Sequence, residues 1–111
     1  MTENELLTCV IDLAHLYSWR VLHIRPARTE KGYRTPLQGD GVGWPDIFAV
    51  RDERIVVAEL KSDRGRVTDE QQKWLTALSY ALQANTYVWT PAEWENGTIL
   101  RTLSAPLGDQ K

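Results

Sequence analysis

Asp46, Glu59 and Lys61 are the residues of this chain whose types and spacing could do chemistry. Glu59 and Lys61 stand two apart in Ala58-Glu59-Leu60-Lys61, and residues two apart on a β-strand share a face. Their neighbours Val57, Ala58 and Leu60 are apolar. The strand therefore reads as central, where a charge is costly unless it has a partner or a metal. Asp46 opens the preceding apolar run. If the chain turns at Asp52-Glu53, Asp46 falls opposite Glu59, and two carboxylates meet one ammonium. Carboxylates so placed repel, and a divalent cation removes the repulsion. Mg2+ takes a few carboxylate oxygens and keeps several waters. Such an ion can generate hydroxide and stabilise the charge that builds on a phosphodiester. Lys61 would orient the attacking water or offset developing negative charge. The backbone carbonyl of Leu60 lies between the two side chains and would add a neutral ligand. A Glu-x-Lys pair by itself is also common on a solvated strand face. The Gly43-Trp44-Pro45-Asp46 approach strengthens the catalytic reading, because glycine lets backbone come close to a phosphate and Pro45 fixes the entry to the strand.

The elements that must position these residues can be read from periodicity and punctuation. Leu6, Leu7, Val10, Ile11, Leu13, Ala14 and Tyr17 recur as one helical stripe, with Thr2 as N-cap and Glu5 three positions on as its capping-box partner. Residues 19–24 alternate as a strand. Residues 25–44, with four glycines and two prolines, read as a long loop, which in a small domain is either functional or mobile. Residues 45–50 and 54–61 read as a hairpin. Thr68 opens a helix that runs to about Gln83, and Thr68 and Gln71 have capping-box spacing. Residues 86–90 form a strand. Thr90-Pro91-Ala92-Glu93 has the look of another helix start. Residues 98–103 are ambiguous between helix and strand, and the tail from about Ser104 is expected to fray. The expected fold is α/β, a mixed sheet flanked by helices in the order α-β-β-β-α-β.

A chain of 111 residues fits one domain, and 42% hydrophobic content supports a core without staples. The single cysteine, Cys9, cannot form an internal disulfide and reads as core filler. No Cys/His cluster has zinc spacing, so the expected ion is a hard one, Mg2+ or Mn2+. There is no long apolar run and no signal peptide, which makes no membrane partner and a cytoplasmic location the expectation. The net charge of −2 argues against a general nucleic-acid binder. Its distribution is uneven, with Arg25, Arg28, Lys31 and Arg34 in one stretch and Lys61, Arg64 and Arg66 in another. The first stretch is read either as a backbone grip on nucleic acid or as solvated loop charge. Trp44 could stack on a base or pack beneath the loop. His15 reads as a boundary residue, and His23 as packed rather than touching phosphate.

The ordered set Gly43-x-Pro45-Asp46, Glu59-x-Lys61 and Thr68-x-x-Gln71 resembles the PD-(D/E)XK nuclease superfamily. More narrowly, it resembles the VRR-NUC family of small stand-alone nucleases, common in phages and prophages. Gln71-x-x-Trp74-Leu75 and Tyr87-Val88-Trp89 followed by Pro91 add to the likeness, which runs from about Glu3 to Trp94. The resemblance implies a restriction-endonuclease-like sheet. It implies Asp46 and Glu59 as metal ligands, Lys61 as catalytic lysine, and Gln71 near the site, on metal-bound water or phosphate. It also implies an acidic residue from the first helix, for which Glu5 is preferred over Glu3 because it directly precedes the apolar stripe. The implied activity is metal-dependent endonucleolytic cleavage of DNA, selective for branched or junction DNA as a homodimer, without a small-molecule cofactor. A monomeric nicking or general DNase and an inactive DNA-binding module are the alternatives. The intact Asp46–Glu59–Lys61 set argues against the module.

Overall fold

Two short hydrophobic runs separated by Asp52-Glu53 fold back on each other, and the rest of the sheet is built on that hairpin. The computed structural model describes residues 1–24, 27–29, 32–34 and 39–106, with backbone alone for 27–29 and 32–34. Strands β4 (Ile47–Arg51) and β5 (Arg54–Leu60) pair antiparallel, with Ile47 opposite Ala58 and Arg51 opposite Arg54. The turn falls where the sequence puts it, and Asp52 takes a left-handed φ of 54°, a conformation aspartate tolerates better than most residues.

Helix α1 (Glu3–Leu16) precedes β1 (Arg20–Leu22), which pairs antiparallel with β4. Between β1 and β4 the chain forms β2 (Ala27–Thr29) and β3 (Gly32–Arg34), an antiparallel pair with Arg28 opposite Tyr33. This pair makes a two-stranded sheet of its own, so part of the expected 25–44 loop is a hairpin. After β5, α2 (Asp69–Ala81) crosses over to β6 (Asn85–Trp89), which lies parallel to β5 with Leu60 opposite Trp89. Two short helices, α3 (Pro91–Glu95) and α4 (Thr98–Ser104), follow. The protein is thus mixed α/β, with a four-stranded mixed sheet in the order β1-β4-β5-β6. The expected order is interrupted by the extra hairpin and extended by α3 and α4.

Strand alternation sorts the core onto two sides of the sheet. Ile47, Ala49, Val56, Ala58 and Leu60 bury against Leu6, Val10 and Ala14 of α1 and Ile99 and Leu103 of α4. Val57 buries on the opposite face with Leu75 and Leu78 of α2, and Phe48, Ile55, Trp44 and Trp74 pack there. Ile99 and Leu103, four residues apart, give α4 the buried stripe that resolves its ambiguity in favour of helix. No helix among the described residues is long and apolar enough to cross a membrane.

At the turn end of the hairpin, Arg51 and Arg54 clasp the last helix. The Arg54 guanidinium donates to the carbonyls of Ala105 (2.6 Å) and Thr102 (3.0 Å). Arg51 donates to Tyr17 and Leu103 carbonyls at 3.2 and 3.1 Å, and also to that of Ala105. Both guanidiniums lie over the Trp19 ring, 4.8 and 4.9 Å from its centroid. Trp19 Nε1 in turn donates to Leu103 at 2.9 Å. Cations thus satisfy the carbonyls that a helix C-terminus leaves unpaired.

Candidate active site

The open end of the β4–β5 hairpin, away from the arginine clasp, carries the chemistry. Extending the register by one pair sets Asp46 opposite Glu59. Alternation places Asp46 with Phe48, and Glu59 with Val57, on the α2 side of the sheet. Asp46 Oδ2 accepts the backbone N–H of Leu60 at 2.9 Å, so a carboxylate caps the ladder where β4 stops. Glu59 is buried, with a side chain only 3% exposed. Its Oε1 accepts from Gln71 Nε2 at 3.2 Å and lies 3.6 Å from Lys61 Nζ. Its Oε2 is buried without a hydrogen-bond donor.

That arrangement is electrostatically uncomfortable. Burial first, and then hydrogen bonding and charge from the neighbouring Asp46 carboxyl, push the Glu59 carboxyl up to about 8, with Lys61 offsetting part of the effect. With both carboxylates ionised, Glu59 Oε2 would face no donor. A proton or a cation between the two groups is the physical remedy. Among the described residues no group of three or more His, Cys, Asp or Glu side chains could hold a metal. A cation here would therefore rest on two carboxylates and a backbone carbonyl, and would keep several waters. That donor set suits Mg2+ or Mn2+ better than a softer ion.

Gln71 sits where two roles meet. Its backbone N–H donates to Thr68 Oγ1 and its Oε1 accepts from the Thr68 N–H at 2.8 Å, completing the capping box of α2. Its amide nitrogen is left to hold Glu59. The two readings open in the sequence therefore hold together.

Glu5 is placed otherwise than expected. It is exposed, and its Oε1 accepts from the Thr2 N–H at 3.3 Å, closing the capping box of α1. Glu3 instead lines a cleft of about 240 Å3 with Asn4, Leu7, His23, Asp46 and Leu60. Residues two apart on a helix project about 200° apart, so Glu3 and Glu5 cannot both face the sheet. Glu3 shares its face with Leu7, four residues on, and that spacing was the available signal. His23 is the other residue not singled out for the site. Its Nδ1 lies 2.8 Å from the Asp46 carbonyl, which can only accept, so Nδ1 carries the proton.

Gly43 and Trp44 both lie against α2. Gly43 has φ +88°, and a Cβ there would lie 2.7 Å from the Glu70 carbonyl carbon and 2.9 Å from the Gln71 nitrogen. Its missing side chain admits the first turn of α2. Trp44 packs edge-on to Trp74 at 5.0 Å and stacks on Phe48 at 5.8 Å, the packing alternative rather than the base-stacking one. Arg25 and Lys31 lie outside the described residues, and Arg28 and Arg34 are described in backbone alone, on β2 and β3. No protein-family model matches the chain, and no curated protein matches it significantly.

Proposed function

We propose that this protein is a divalent-metal-dependent nuclease that hydrolyses phosphodiester bonds in DNA, with Asp46, Glu59 and Lys61 at its centre. The observation that carries the reading is the buried, donorless oxygen of Glu59 beside a second carboxylate, with a lysine 3.6 Å away. A purely structural ion pair would have no need of the second carboxylate. The sheet and its helices are read as restriction-endonuclease-like, in keeping with the Pro45-Asp46, Glu59-x-Lys61 and Gln71 motifs.

Asp46, Glu59 and the Leu60 carbonyl would hold Mg2+ or Mn2+, and Glu3 would replace Glu5 as the acidic contribution of the first helix. The Leu60 carbonyl is suited to this because, in a strand, it shares an edge with its own N–H, and that N–H is already bonded to Asp46. When bound, the ion supplies a lowered pKa for water and charge neutralisation on the phosphate. Asp46 accepts the Leu60 N–H through Oδ2, so Oδ1 would be the oxygen it offers to the ion. Gln71 holds Glu59 in one rotamer, leaving Oε2 as its free oxygen. Lys61 Nζ lies 3.6 Å from Glu59 Oε1 as an ion pair, and its N–H groups would orient the attacking water and meet a non-bridging phosphate oxygen.

The test is DNA cleavage by the purified protein in Mg2+ or Mn2+. Asp46→Ala and Glu59→Ala should each reduce cleavage to background while melting cooperatively, and EDTA should stop the wild type reversibly. Full activity in either folded variant, or after complete chelation, removes the assignment.

A further inference from the structure

The turn that leads into Asp46 and the helix that carries Gln71 are joined by more than the packing of Trp44 and Trp74 on the α2 side of the core. Trp74 Nε1 donates to the Asp40 carbonyl at 2.8 Å, tying α2 to residues 39–44. The same turn is closed by Trp44 N–H donating to the Gly41 carbonyl at 3.1 Å. Gly43 then lies so close to the Glu70–Gln71 peptide that a methyl group would not fit, and the Trp44 ring meets Trp74 edge-on at 5.0 Å. A hydrogen bond, a close backbone approach and a ring pair thus converge on the first turns of α2. Asp46 follows Gly43 by three residues, and Gln71 holds Glu59.

We infer that Trp74 and Gly43 are positioning residues for the carboxylate pair. By locking the 39–44 turn against the first turn of α2, they fix Gln71 and, through it, the rotamer of Glu59 relative to Asp46. The inference rests on the reading that this pair binds a divalent cation. Gln71 Nε2 donates to Glu59 Oε1 at 3.2 Å, so a shift of the first turn of α2 shifts the carboxyl that faces Asp46. A tryptophan that anchors the helix to the 39–44 turn limits that shift. The indole N–H matters here, because the ring alone would slide along its neighbours while the bond to Asp40 fixes its depth.

The test uses the full chain, Mn2+ alone as the probe, and calorimetric or EPR titration. Trp74→Phe keeps an aromatic ring and deletes the donor. It should stay folded and bind Mn2+ roughly tenfold more weakly, the lower end of what removing a supporting partner costs a metal site. Gly43→Ala should do the same or more. Gln71→Ala should weaken binding as well, and the Trp74→Phe/Gln71→Ala double variant should lose less than the two single losses combined. Leu78→Ala, at the other end of α2 and buried, should lower Tm without changing Mn2+ affinity. Wild-type affinity in Trp74→Phe overturns the inference alone. So do fully additive losses in the double variant, or an equal loss of affinity in Leu78→Ala. Absence of Mn2+ binding by the wild type overturns both the inference and the nuclease reading beneath it.

Discussion

Glu59 is the residue on which the chemistry turns, and its titration should be visible without any substrate. Its carboxyl sits at about 8 in the folded protein against about 4.3 in an unfolded chain. A raised folded-state value means that the stabilising contribution is complete below the unfolded value and is lost as pH rises through the folded one. The Tm of the metal-free protein should therefore fall as pH is raised from 5 towards about 8, the value reached by Glu59, and Glu59→Gln should flatten that fall. Thermal melts in EDTA across this range would check it, and identical slopes in the two proteins would count against it. A cation must displace the same proton, so Mn2+ affinity should climb over the same window. The identity of Glu59 as the buried acid was legible because its apolar neighbours mark a central strand. The choice between Glu3 and Glu5 was legible only in the spacing of Glu3 from Leu7. Proximity to the apolar stripe along the chain says nothing of angular phase, and phase is what turns Glu3 into the cleft that Asp46 also lines.

Elements whose pairing is local were the readable ones. The β4–β5 hairpin and the capping boxes at Thr2, Thr68 and Thr90 depend on residues two or three apart. The β2–β3 hairpin was missed because Ala27-Arg28-Thr29 and Gly32-Tyr33-Arg34 have no alternating apolar set, so no periodicity announces a strand. The approach of Gly43 to α2 was not legible for the opposite reason. Its partner lies on α2, far along the sequence, and a local rule for glycine near phosphate was the only one available. The arginine clasp on α4 is of the same long-range kind, and it yields a prediction at this scale. Arg54→Met keeps apolar bulk but removes the donor to the Thr102 carbonyl and one of the two donors to that of Ala105, which keeps Arg51. A hydrogen bond from a charged group contributes about 1.5–3 kcal/mol, so Tm should drop by several degrees. Mn2+ affinity measured well below Tm should not change. A shift in affinity would show that the clasp communicates with the carboxylates.

For the whole molecule, the net charge of −2 makes any grip on DNA a matter of distribution. Arg28 and Arg34 lie on the two strands that form a sheet of their own, Lys31 lies outside the described residues, and Asp46 follows all three in the chain. Replacing the three with Ala should weaken binding of all DNA sequences about equally. It should also flatten the salt dependence by up to about 0.9 log units for each phosphate no longer neutralised. Unchanged affinity and salt slope would make these charges merely solvated. Conversion of a dimer to a monomer, seen by light scattering, would instead put the hairpin between subunits. The hairpin of β4 and β5 has a further consequence for how this protein can change over time. Its clasp and its carboxylates lie five residues apart along each strand, Arg51 from Asp46 and Arg54 from Glu59, roughly 16 Å at the usual rise per residue. Groups so separated tend to act independently. Durability can therefore drift at one pole, gained or lost through Trp19 and the arginines, while reactivity is tuned at the other. A lineage carrying this fold is free to trade thermal tolerance without relearning its chemistry.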